Sequence, residues 1–335
     1  MSSNRPWVIA APTALLAPLA PLLSARAARQ PVIVLESSIE AILADPGAHL
    51  PAHAEALLVV GPPRRGPRRS LPGLWVHDAV GSRVPVGWLP GIPSRLSAYA
   101  AAAARVLARP PRTGPLVVLG QWEDRFLRVA LRTSRWFEKQ RSSPAVFHWT
   151  ADRVTRNDMI EGLGFGPGLA LYFGHGRARG WAGYHGVRIE HFPALGAEPM
   201  GSLLALCCEN ASRQGGRLSF AEDLVLQGIC AGALAAAGKT RHEDNRQLGP
   251  ALNEAMTARH PKTLASLVDG ADLPPGFWEK TPYRFIGDPA ASLAGAVGAT
   301  EAASLIFAPA PDDPLPPWPD EDLDRVPPLA ATAAG

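Results

Sequence analysis

The chain has 335 residues, enough for one large α/β domain or two smaller ones with a substantial core. Apolar residues make up 47% and charged residues 19%, the balance of a globular enzyme, and a net charge of +3 is too small to argue for nucleic acid. No stretch reaches the roughly 18 uninterrupted apolar residues of a membrane span, and three cysteines, two of them adjacent, argue against a disulfide framework and for a reducing compartment, the cytoplasm.

Read from the N-terminus, strand and helix candidates alternate. The opening segment imitates a secretory signal, with Arg5, an apolar run over 8–23 and small residues at Ala25 and Ala27. Pro12, Pro18 and Pro21 interrupt that run, so 7–11 reads as a first strand and 13–29 as its helix, a cleaved signal being the alternative. Further strands are expected at 31–35, 56–61 and 115–120, with helices at 94–108 and 125–140. Arg64, Arg65, Arg68 and Arg69 fall in a Pro/Gly-rich stretch that reads as a solvated basic loop. The second half continues with strands at 169–173 and 202–207, a helix at 219–230, a strand-like run at 231–237 and a helix at 248–259. This order predicts an α/β fold, a largely parallel central sheet with helices on both faces. Residues 1–307 form the folded domain, with a smaller α/β half at 1–110 as a subdivision. Residues 308–335 are rich in Pro, Ala and Asp and are expected to be a disordered tail, in which Trp318 and Leu323 leave room for a docking motif.

Two strand candidates end on reactive side chains. One is Leu169-Ala-Leu-Tyr-Phe-Gly-His-Gly176, the other Ser202-Leu-Leu-Ala-Leu-Cys-Cys-Glu-Asn210. Open α/β sheets place their chemistry beyond the carboxyl ends of parallel strands. His175 and either Cys207 or Cys208 therefore meet at one sheet edge, as a thiol nucleophile and an imidazole that manages its proton require. Strand alternation turns Cys207 and Cys208 to opposite faces, so only one can face a cleft. Cys230, at the end of the apolar helix 219–230, is expected in the core. Gly174 and Gly176 flank His175 and let the backbone turn sharply and approach a substrate. Taken without the cysteine segment, His175 would read as the cap of a strand end. His185 and His191 read as loop residues without the convergent ligands a metal needs, so neither metal nor cofactor is expected. A nucleotide-binding reading lacks its loop, because the glycines of 162–168 precede a strand instead of opening a helix.

Gly174-His175-Gly176 followed by Trp181, and then a strand ending in Cys208-Glu-Asn210, resembles the clan CD cysteine peptidases, the gingipain-like branch in particular. The likeness extends to Phe220-Ala-Glu-Asp-Leu after the cysteine and to Ala231-Gly-Ala-Leu-Ala-Ala-Ala-Gly238 as the next strand. Tyr283-Arg-Phe-Ile-Gly-Asp-Pro289 resembles the Gly-Asp-Pro segment that closes such domains, and Arg83-Val-Pro-Val resembles a segment that precedes a long helix. Together these cover most of 6–293. The resemblance implies a caspase-like three-layer sandwich and a cysteine endopeptidase that cleaves a protein or peptide substrate through a thioester. It favours Cys208 as nucleophile, since Cys208-Glu-Asn210 matches the branch's Cys-x-Asn, and leaves Cys207 to the core. It gives His175 the general acid/base role and the backbone N–H groups of Gly176 and Cys208 the oxyanion. A third acid before the histidine has no clear match. Gln121 stands roughly there, and the orientation of His175 is expected to rest on a backbone carbonyl.

The loop Gly120-Gln-Trp-Glu123-Asp124 follows the strand 115–120 and so reaches the same sheet edge. The resemblance gives it part of the pocket for the residue before the scissile bond, where a buried carboxylate selects Arg or Lys. Asp124 is the first candidate and Glu123 the second. Trp122 stands beside them, and Glu243 and Asp244 come from the loop after the following strand; the plain alternative is that all these acids are solvated. An acidic pocket would make the loop 64–69 a self-cleavage site. Small peptidases of this kind act as regulated effectors, bacterial defence among their settings, so a partner protein that activates the enzyme or is matured by it is expected. Two rivals share the residues. One is a CHAT-type peptidase under a sensor partner, whose cysteine segment also resembles Cys208-Glu-Asn-Ala; the other is a catalytically inactive caspase-like interaction module.

Overall fold

The computed structural model describes residues 5–110, 114–139, 144–193 and 197–306, so the tail at 308–335 lies outside the described residues. The strands are β1 (Trp7–Ala10), β2 (Val32–Leu35), β3 (Ala56–Gly61), β4 (Trp75–His77), β5 (Arg83–Pro90), β6 (Leu116–Gly120), β7 (Val146–Thr150), β8 (Leu169–Phe173), β9 (Gly176–Arg177), β10 (Gly180–Trp181), β11 (Met200–Leu206), β12 (Cys230–Ala236) and β13 (Tyr283–Gly287). The helices are α1 (Leu16–Ala27), α2 (Ile39–Ala44), α3 (Pro46–His49), α4 (Pro67–Ser70), α5 (Pro93–Ala108), α6 (Asp124–Glu138), α7 (Arg156–Leu163), α8 (Phe220–Leu226), α9 (His242–Arg259), α10 (Leu264–Gly270), α11 (Phe277–Lys280) and α12 (Ala299–Ala303).

One 11-stranded sheet runs in the order β2-β1-β3-β5-β13-β12-β11-β8-β6-β7, with β4 paired antiparallel to β5. Neighbours along that order are parallel except β12 and β13. The sheet is therefore two parallel blocks of opposite direction, joined at that ladder. Strands β1, β3, β8, β11 and β12 are buried along their whole length, which is why they stand out in the sequence as continuous apolar runs.

Helices cover both faces. Leu19 and Leu22 of α1, Leu96 and Tyr99 of α5, Met159 of α7 and Leu224 of α8 pack with Ala170, Tyr172, Leu203, Ala205 and Cys207 on one face. Phe126 and Phe137 of α6, Leu248 and Leu252 of α9 and Leu264 of α10 pack with Leu169, Leu171, Phe173, Leu204 and Leu206 on the other. The period of two along β8 and β11 sorts their side chains between the two layers. A buried ion pair ties the first elements to the last strand. Asp288, just past β13, accepts from Arg26 of α1, from the Trp7 indole at 3.1 Å and from the Ala290 N–H at 2.9 Å.

The structure departs from the sequence expectations in particular places. Strands β4, β5, β7 and β13 were not among the expected elements. Pro85 and Pro90 punctuate β5, and His148 interrupts the apolar pattern of β7. Cys230 is buried as expected, but it opens β12 instead of ending a helix. Helix α8 stops at Leu226 because Gly228 turns the chain left-handed with φ +73°. Helix α9 starts at His242, six residues before the expected 248, across the polar stretch 242–247.

Candidate active site

Strand register sets the site. Leu206 of β11 pairs with Phe173 of β8, so Cys208 and His175, each two residues further on, leave the sheet side by side. Alternation separates the two cysteines. Cys207 lies in the α1/α5/α8 layer, only 1% exposed, and its thiol donates to Asn210 Oδ1 at 3.0 Å. Burial, seconded by the neighbouring Cys208, pushes its pKa up. Cys208 is half-buried. Its Sγ accepts from the Thr240 N–H at 3.4 Å and stands 3.4 Å from the Thr240 hydroxyl. Glu209 follows with φ +61°, a left-handed conformation for a residue with a side chain, and donates its N–H to the Gly238 carbonyl at 2.9 Å. Such strain costs roughly 1–3 kcal/mol and marks a turn that its surroundings enforce.

The two glycines around His175 serve packing within the protein. A Cβ at Gly174 would lie 2.3 Å from the Tyr172 hydroxyl, and one at Gly176 would lie 2.2 Å from the Cys208 carbonyl oxygen. Gly176 lets the histidine segment close on the cysteine segment, and Gly174 makes room for Tyr172 and Gln121, a different reason from the approach to substrate that the sequence suggests. The His175 carbonyl accepts from the Ala182 N–H at 2.9 Å and from the Tyr172 hydroxyl at 3.2 Å. Its N–H donates to Gln121 Oε1 at 2.7 Å. Asn210 ties the histidine and cysteine segments together. Its Oδ1 accepts from the Trp181 indole at 2.7 Å, and its amide donates to the carbonyls of Arg177 and Gly180 at 2.8 and 3.1 Å. Trp181 in turn stacks on Tyr172 with centroids 4.3 Å apart.

The His175 side chain is 51% exposed and meets the start of α6. Phe126 presents its ring edge-on at 5.1 Å. Glu123 Oε2 lies 3.4 Å from Nε2, and Arg125 Nη2 donates to the same Nε2 at 2.6 Å. Arg125 also forms an ion pair with Glu123, Nε to Oε1 at 2.6 Å, and lies over the Phe126 ring at 4.7 Å. His242, at the start of α9, meets the Phe126 ring at 5.7 Å. Its pKa is lowered, by burial first and then by Arg125 and Arg246. The imidazole of His175 is thus oriented by side chains, Glu123 and Arg125, where a backbone carbonyl was expected.

The expected pocket residues are dispersed around this edge. Glu123 faces His175 and Arg125. Asp124 is 85% exposed and pairs with Arg128 at 3.1 Å, and Trp122 is exposed beside it. Glu243 is exposed and Asp244 half-buried in the first turn of α9. The Tyr283 phenol has its pKa raised by burial first, then by the charges of Cys207, Cys208 and Asp244. Behind the cysteine, the Asn245 amide donates to the Leu206 carbonyl at 3.1 Å and to Thr240 Oγ1 at 3.3 Å, and its Oδ1 accepts from the Tyr283 hydroxyl. Sequence reasoning missed Thr240, Arg125 and Phe126. Thr240 had a signal, since it follows the apolar run of β12 as His175 follows β8. Arg125 had none, because an arginine in a first helical turn reads as solvated. Among the described residues no group of three or more His, Cys, Asp and Glu is placed to hold a metal ion. No described helix is long and apolar enough to cross a membrane. A cavity of about 200 Å³ lies at the opposite end of β11 and β12, against Ala98, Ala102, Leu163 and Ile229, away from both Cys208 and His175.

The family model for peptidase family C25 matches residues 123–294, just over half of the chain and the stretch that carries both His175 and Cys208. No curated protein matches the sequence. Among solved structures, the chain is similar to the Arg-specific cysteine proteinase gingipain R, with a TM-score of 0.63 and 14% identity over 89% of this chain and 80% of that one. The complex of Porphyromonas gingivalis RgpB pro- and mature domains gives 0.63 and 14% over 88% and 80%. A structure described as a protease gives 0.64 and 12% over 87% and 79%. At these identities the likeness is one of fold.

Proposed function

This chain belongs to peptidase family C25 and is a cysteine peptidase, and from that premise we propose that Cys208 is its nucleophile and His175 its general acid/base. The observation that carries the reading is the register of β8 and β11, which brings the histidine and one accessible thiol out of the sheet together. In the proposed reaction His175 Nδ1 takes the thiol proton as Sγ attacks the scissile carbonyl carbon. The electron pair of the carbonyl moves to oxygen, where the N–H groups of Gly176 and Cys208 receive it. Collapse expels the amine, which leaves with the proton from His175, and a thioester remains. Water, deprotonated by the same imidazole, then releases the carboxylate and restores the thiol. Glu123 supports the cycle at Nε2, where its carboxylate stabilises the imidazolium that forms.

We keep a preference for Arg or Lys before the scissile bond, in keeping with the Arg-specific character of gingipain R. With Asp124 on Arg128 and Glu123 on Arg125, the half-buried Asp244 becomes the carboxylate best suited to meet a basic side chain, with Glu243 and Trp122 at the mouth. The three cysteines are unpaired, which supports a cytoplasmic enzyme, and control by a partner protein, in a defence setting, belongs to the same proposal. The test is cleavage of a fluorogenic peptide library varied at the residue before the scissile bond. Wild type and Cys207→Ala are expected to cleave, and Cys208→Ala is not. Loss in Cys207→Ala with retention in Cys208→Ala would reverse the assignment. Cleavage after apolar or acidic residues would remove the role of Asp244.

A further inference from the structure

We propose that Arg125 is a positioning residue that holds His175 in a resting tautomer and must leave Nε2 before the dyad can act. The inference rests on His175 being the acid/base of Cys208. A guanidinium carries N–H donors and no lone pair. Arg125 Nη2, 2.6 Å from His175 Nε2, therefore donates, and Nε2 accepts. A neutral imidazole whose Nε2 accepts has its proton on Nδ1. Glu123 approaches the same Nε2 at 3.4 Å, and a carboxylate only accepts. It can bond Nε2 only when that nitrogen carries hydrogen. Arg125 and Glu123 thus compete for one nitrogen in its two opposite protonation states.

The competition decides whether the dyad works. With Arg125 seated, Nδ1 bears hydrogen and has no lone pair for the Cys208 proton. With Arg125 withdrawn, the proton resides on Nε2, bonded to Glu123, and the Nδ1 lone pair opens toward the cleft. The proton then moves from Sγ to Nδ1 and the electron pair stays on sulfur, so the step is complete without another reactant. The geometry suits a movable group. Arg125 is 43% exposed, its ion pair with Glu123 Oε1 anchors the guanidinium, and the Phe126 face beneath it gives a surface to slide on. His242 and Arg246, which face the cluster from α9, set the same electrostatic background in both states.

Long-range proton–nitrogen NMR spectra of protein labelled with nitrogen-15 histidine report which ring nitrogen carries hydrogen. The His175 signal is assigned by its loss in His175→Asn. Wild type is expected to show the Nδ1–H form and Arg125→Met the Nε2–H form. Alkylation of Cys208 by iodoacetamide at pH 7 is expected to rise about tenfold in Arg125→Met, the scale of one hydrogen bond to a charged group. It should fall in Glu123→Gln and return toward wild type in Arg125→Lys. Peptide cleavage should gain in kcat with KM little changed. An Nε2–H tautomer in wild type, or slower alkylation in folded Arg125→Met, would overturn the proposal. Should His175→Asn alkylate and cleave as wild type does, the dyad assignment fails instead, whatever the tautomer.

Discussion

Gly176 shows how little room one residue leaves between the two proposed catalytic segments. An alanine there would place its Cβ 2.2 Å from the Cys208 carbonyl oxygen, a backbone atom that cannot swing aside, and 2.6 Å from the Cys207 sulfur. The segments would have to part by about an ångström, and displacements of that size cost on the order of 100-fold in rate. Gly176→Ala is expected to lower kcat on a peptide substrate by that order, measured beside Cys208→Ala as the zero. That only one of Cys207 and Cys208 can face a cleft was legible, because alternation along an apolar strand is a local rule, whereas the preference for Cys208 came from the Cys-x-Asn resemblance. The partners of His175 were not. Glu123 was placed at the right sheet edge by its strand, but its contact with the imidazole depends on how the first turn of α6 orients Arg125 and Phe126, which no spacing encodes.

Among the elements, β7 carries a titratable group in an unusual setting. His148 is held neutral well below its ordinary range, its pKa lowered to about 4, by burial first and then by Arg153. Its Nε2 meets no hydrogen-bond partner among the described residues. The unfolded chain protonates this histidine near its ordinary value of 6.5. Between pH 6.5 and about 4 the unfolded state therefore binds more protons, and stability falls as the solution is acidified. Above pH 6.5 both states are neutral and the group contributes no slope. The full effect is at most roughly 3 kcal/mol. His148→Phe should flatten the profile through that window, as urea denaturation at pH 7, 5.5 and 4 would read. Elements that are uniformly apolar, such as β3, β8 and β11, could be read from sequence. Those whose burial depends on distant partners could not. The first turns of α9 are polar in sequence, and their burial comes through Asn245, whose side chain bonds Leu206 and Tyr283.

At the scale of the molecule, the Arg26–Asp288 pair fastens α1 and β1 to the segment after β13 across more than 250 residues of chain. Both side chains are almost wholly buried. Removing one partner of such a pair strands the other charge in the core, at about 3–5 kcal/mol. Arg26→Met is expected to lower the unfolding free energy by that amount, seen as a fall in the urea midpoint with Cys208 alkylation retained at low denaturant. The sequence order of strands and helices announced a layered α/β molecule with a largely parallel sheet. It did not announce that the sheet reverses direction in its middle, because a reversal is a property of which strands become neighbours.

That reversal has a consequence for how the protein is made. β13 is the last described strand in the chain, yet it sits between β5 and β12. During synthesis the strands before it can pair within their own blocks as they emerge. The flanks of β5 and β12 stay bare until residues 283–287 have left the ribosome. Unpaired strand flanks are templates for wrong partners, so the interval between translating β12 and β13 is when a nascent chain is most exposed to aggregation and to chaperones. A truncated product ending before Tyr283 would keep both flanks open permanently.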